Sequence, residues 1–82
     1  MIDCFLKCRV YKGMFSDEVA VAIRSTHGQT SFFVQRDCVR GELNGEGEVR
    51  IRLYRDGATA WAIIPDENQT SVTVHDRDVV AN

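Results

Sequence analysis

The sequence predicts an all-β fold, a small antiparallel barrel or roll of five to six strands with at most one short helical turn. Three features predict it. β-branched and aromatic residues recur in short runs between turn signals, sustained helical periodicity is missing, and an Asp-Gly pair separates two alternating segments. The 82 residues allow one domain, and a chain of that size buries only about 60–65% of its unfolded surface, too thin a core for a deep enclosed site. An SH3-like or OB-like barrel suits such a strand count.

From Asp3 to Tyr11, Cys4, Leu6, Cys8 and Val10 alternate with Phe5, Lys7, Arg9 and Tyr11, the period of a half-buried strand. Lys12-Gly13 ends it. A second strand, Asp17 to Ser25, sets Val19, Val21 and Ile23 on one face and Ala20, Ala22 and Arg24 on the other. With His27-Gly28 at the turn, Ile23 faces Phe32, Val21 faces Val34 and Ala22 faces Phe33, so Phe32 and Val34 are core and Phe33 looks outward.

Asp37 to Gly47 lacks a clear period and ends in Asn44, Gly45 and Gly47, which reads as a connection with a turn of helix near Asp37–Val39. Glu48 to Arg55 alternates strictly, Asp56-Gly57 supplies a tight turn, and Ala58 to Ile64 returns. Pairing Arg55 with Ala58 opposes Leu53 to Ala60, Ile51 to Ala62 and Val49 to Ile64 on the core face. The outer face then opposes Arg50 to Ile63, Arg52 to Trp61 and Tyr54 to Thr59. Pro65 stops the strand, Ser71 to His75 buries Val72 and Val74, and Asp76 to Val80 forms a tail or single turn. Val34-Gln35-Arg36-Asp37-Cys38-Val39 and Val74-His75-Asp76-Arg77-Asp78-Val79 share a strand, a charged turn and a returning valine, a likeness too short to establish a repeat.

A net charge of −2 gives no overall pull toward phosphate or anionic lipid, and neither a leader pattern nor a membrane-length apolar run occurs, so a cytoplasmic location is expected. Cys4, Cys8 and Cys38 lack disulfide-framework spacing and are expected as reduced thiols. On one strand Cys4 and Cys8 would lie about 13 Å apart, too far for a bridge or a shared zinc. Asn68-Gln69-Thr70 matches the glycosylation sequon, which matters only in a secreted chain.

No metal-binding motif occurs, and Gly45-Glu46-Gly47 lacks the lysine and following helix of a phosphate loop, so no cofactor is expected. Cys38, His27 and His75, with Asp37, Asp76 or Asp78 as orienting groups, are the catalytic candidates, and nothing in their spacing assembles them. Cys38 reads as a small buried hydrophobe, His27 as a turn residue and His75–Asp76 as an exposed pair.

The best candidate surface is the outer face of the second hairpin, Arg50, Arg52, Tyr54, Trp61 and Ile63, extended by Phe33. Trp, Tyr and Arg dominate binding hot spots because rigid rings and weakly hydrated guanidinium groups gain much from burial. A non-catalytic interaction or adaptor module follows, docking a protein partner or a second copy. The same face could stack a base on Trp61 and hold phosphates with Arg50, Arg52, Arg9 or Arg24, giving single-stranded nucleic-acid binding as the alternative. The plainer reading is that the chain's own loops cover Trp61 and Phe33 while the arginines snorkel over them.

Overall fold

The computed structural model describes residues 1 to 81. Its strands are β1 (Ile2–Lys12), β2 (Glu18–Ser25), β3 (Gly28–Gln35), β4 (Val39–Gly41), β5 (Gly45–Asp56), β6 (Thr59–Ile63), β7 (Ser71–Val74) and β8 (Val79–Val80). Strands β1, β2, β7, β6 and β5 close an antiparallel five-stranded barrel, and β3, β4 and β8 add to its flanks. Two 3-10 turns, Arg36–Cys38 and Asp76–Asp78, are the helical segments among the described residues. The all-β barrel read from the sequence is therefore the fold.

The core follows the alternation. Cys4, Leu6, Cys8 and Val10 of β1 pack with Val19, Val21 and Ile23 of β2, Val49, Ile51 and Leu53 of β5, Ala60 and Ala62 of β6, and Val74 of β7. Each fully buried Leu, Ile or Val contributes about 1.5–3 kcal/mol by leaving water. The ring closes where Ser25 of β2 pairs with Val74 of β7, while β3, β4 and β8 each keep an outer edge.

Both hairpin registers differ from expectation by two residues. In β2·β3, Ser25 pairs with Gly28, so Thr26-His27 form the turn, Val21 faces Phe32, Val19 faces Val34 and Ala20 faces Phe33. In β5·β6, Asp56 pairs with Thr59, so Gly57-Ala58 are central, Leu53 faces Ala62, Tyr54 faces Trp61 and Arg52 faces Ile63. Gly57 alone of that central pair has positive φ, 63°, the pattern of a turn with glycine first rather than second. An even shift keeps every side chain on its expected face, which is why the core survives the change.

Three further expectations are corrected. The connection 37–47 contains β4 and the first residues of β5, because Val39–Gly41 pairs with Gly47–Val49. The tail holds a second 3-10 turn and β8, whose Val79 and Val80 pair with Leu6 and Phe5. Phe5, placed outside by alternation, is only 5% exposed; β8 lies beside it and the Arg40 guanidinium covers its ring at 3.5 Å.

Candidate functional site

Strands β5 and β6 position four of the six predicted surface residues as two adjacent cross-strand pairs, Arg52–Ile63 and Tyr54–Trp61. Tyr54 and Trp61 stack with ring centroids 6.1 Å apart and planes 5° from parallel, an offset contact worth about 0.5–1.5 kcal/mol beyond its buried area. Both rings are half-buried. On its other side Trp61 faces Thr73 of β7, whose hydroxyl is hydrogen-bonded to that of Thr26 in the β2–β3 turn. The turn thus borders the tryptophan without enclosing it, and Ser25, His27, Gly28 and Val72 complete a shallow depression around it.

Arg50 and Arg52 are exposed on β5. The ion pairs among the described residues are Arg40–Glu48 and Arg55–Asp76, so neither Arg50 nor Arg52 is held by a carboxylate. Arg52 lies across from Asp3 without bonding it, and a second groove runs past Asp3, Arg50, Arg52, Ile63, Pro65 and Asp66. The Asp66 carboxylate is already engaged, accepting from the Thr70 N–H and hydroxyl, both at 2.7 Å. That leaves the Arg52 guanidinium, the Arg50 guanidinium 5.9 Å from the centroid of the Phe5 ring, and a half-buried apolar strip of Ile63 and Pro65 along the groove.

The register separates what the sequence had put together. Arg52 does not lie across from Trp61, and Phe33 does not join this surface; it pairs with Ala20, which pairs with Tyr11. Phe33 is 49% exposed and Tyr11 39%, so this outer row of the other hairpin is also open. Sequence reasoning missed Phe5 and Arg40, since the β4 that aligns Arg40 with Glu48 has no strand signal of its own. An apolar ring among Asp3, Lys7 and Arg9 is the one hint that something covers Phe5.

The catalytic candidates are not assembled. Cys38 is half-buried rather than buried, and its Sγ donates to Asp37 Oδ1 at 3.7 Å. Burial, then the Asp37 charge and this hydrogen bond, push the thiol up against a smaller opposing effect of Arg50, which disfavours the nucleophilic thiolate. His27 lies exposed in the turn, its amide bonded to Ser25 Oγ at 3.1 Å. His75 is half-buried, not exposed, and its carbonyl accepts the Asp78 amide at 3.0 Å, while Asp76 is engaged by Arg55. Among the described residues no group of three or more His, Cys, Asp or Glu could hold a metal ion, and no helix is long and apolar enough to cross a membrane.

Fold and surface together define a small closed antiparallel β-barrel carrying an open aromatic–arginine face. The chain matches no family model, no curated protein and no solved structure.

Proposed function

We propose that this domain is a non-catalytic protein-interaction module that docks its partner, a different protein or a second copy, on the outer face of β5 and β6. The observation that supports it is the Tyr54–Trp61 stack beside two exposed guanidinium groups free of carboxylate partners and an apolar Ile63. Rigid rings lose little freedom on contact, and the guanidinium groups can pair bidentately with partner carboxylates. Reduced Cys4, Cys8 and Cys38 favour a cytoplasmic setting. The closed five-strand ring is compatible with an SH3-like or OB-like affiliation.

The test compares affinity capture by the native chain and by the double variant Arg50→Glu/Arg52→Glu, after thermal unfolding has shown equal stability. Partners captured by the native chain and lost from the variant are expected, or a mass by light scattering that rises with concentration in the native chain alone. Identical captures with no self-association would overturn the reading. The same arginines beside an aromatic stack also suit single-stranded nucleic acid. Two phosphates held there would give a log–log salt dependence of about −1.4 on a single-stranded oligonucleotide. Retention with that slope, abolished by the double variant, would select this second reading.

A further inference from the structure

The chain order β1-β2-β3-turn-β4 recurs as β5-β6-β7-turn-β8. Leu6 pairs with Val49 in β1·β5, and a twofold axis through that pair exchanges the two strands. It carries Lys7 onto Arg50, Arg9 onto Arg52, Val10 onto Leu53, Tyr11 onto Tyr54 and Lys12 onto Arg55, and it exchanges the cross-strand pairs Asp3–Arg52 and Glu46–Arg9. Since Val10 pairs with Val21 and Leu53 with Ala62, Val21 is carried onto Ala62. Their partners Phe32 and Val72 then correspond.

Two residues on, Val34 meets Val74, and the turn Arg36–Cys38 meets Asp76–Asp78. The valine after each turn, Val39 or Val79, donates its N–H to the first turn residue's carbonyl. The circuit then closes on itself: Val39 pairs with Val49 of β5 while Val79 pairs with Leu6 of β1, the exchange that the axis requires. Symmetry breaks where β2 continues to Ser25 and reaches Val74, whereas β6 stops at Ile63 before Pro65.

From these registers we infer that the chain is two copies of one unit of roughly forty residues joined head to tail, a period within the range of structural repeats. Each half completes the other's sheet. The seam of β1 and β5, flanked by β8 and β4, is a dimer interface carried inside one chain, and the partner that fits it is a second copy of this chain trading halves.

Two full-chain variants test this. The joint between halves is Glu42-Leu43-Asn44, between Gly41 and Gly45. The equivalent joint between Ala81 and Ile2 is filled by Asn82, one inserted glycine and Met1. A circular permutant closed there and opened between Leu43 and Asn44 is expected to unfold cooperatively with native Trp61 emission; an unfolded permutant overturns the equivalence.

The second variant deletes Glu42, Leu43 and Asn44. Gly41 faces Gly47, and Gly45 lies two residues beyond, a gap of about 8 Å from strand rise and pair spacing, where bonded Cα atoms are about 3.8 Å apart. Halves of one copy can then meet only if Gly45 and Glu46 leave Val10 and Arg9 to form a two-residue turn, whereas halves of two copies can join without that loss. A dimer of twice the chain mass with native circular dichroism and Trp61 emission is expected. A native monomer, or loss of native signal at every concentration, overturns the proposal.

Discussion

Cys8 sits in the core of β1, and burial, with a smaller contribution from Glu48, pushes its thiol up from 9.0 to about 12. The folded state therefore holds that proton where the unfolded chain releases it. Stability from this group is complete below pH 9.0 and falls as pH rises toward 12, with a limiting slope of about 1.4 kcal/mol per pH unit. Urea unfolding between pH 8 and 11 is expected to show a decline that is shallower in Cys8→Ala; equal slopes would remove Cys8 as its source. Trp61 makes a different prediction. It is half-buried and stacked on Tyr54, so Trp61→Ala should cost about 2 kcal/mol, below the 3–5 of a fully buried ring. Chemical denaturation of that variant beside Trp61→Phe, which keeps a stacked ring, measures it.

At the scale of elements, two glycines separate strand packing from turn geometry. Gly47 lies between β1 and β4, paired with Cys8 on one side and Gly41 on the other. A Cβ there would meet the Arg40 carbonyl and lie 2.7 Å from Val10 Cγ2. Gly47→Ala must push β4 outward, an overpacking cost of about 2–3 kcal/mol. Gly57 has open space around it and only its φ of 63° to defend, so Gly57→Ala should cost about 1 kcal/mol. Equal losses in thermal unfolding would show that β4 is not held as described. Gly57 also explains the register error. Asp56-Gly57 announces a turn, but a dipeptide does not say whether glycine comes first or second in it, and each choice moves the pairing by two residues. Arg52 lost Trp61 as its cross-strand neighbour for that reason, and Tyr54 gained it.

Across the whole molecule, Leu6 and Val49 lie on the seam, and both are fully buried. Leu6→Ala should cost about 3–5 kcal/mol, a quarter or more of the roughly 4–12 kcal/mol available to a domain of this length. Thermal unfolding followed by circular dichroism should show a midpoint well below that of the native chain, whereas Ile51→Val, in the same core, should lose about 1 kcal/mol and lower it by only about 4–8 °C. A Leu6→Ala variant as stable as Ile51→Val would mean that β1 and β5 do not carry the barrel. The same seam accounts for β4 and β8, the two strands that local pattern did not disclose. Each has few residues and a charged turn before it, and each is a strand only because a long central strand offers it an edge.

Alternation by itself determined the all-β class, the core faces of β1, β2 and β5, the outward face that holds Arg50, Arg52, Tyr54, Trp61 and Ile63, and the presence of both hairpins, because side-chain period is a local property of extended backbone. Only the tertiary structure decided which residue faces which. It set both registers, sent Phe33 to Tyr11's side of the barrel, covered Phe5 with Arg40 and left Arg50 and Arg52 without carboxylate partners. Those outcomes depend on pairings between residues far apart in the chain, and period-two patterning is blind to them since a shift of two leaves every face unchanged. The likeness of the two 3-10 segments was visible as a short resemblance, and it became a twofold relation only when β1 and β5 were found paired about Leu6 and Val49.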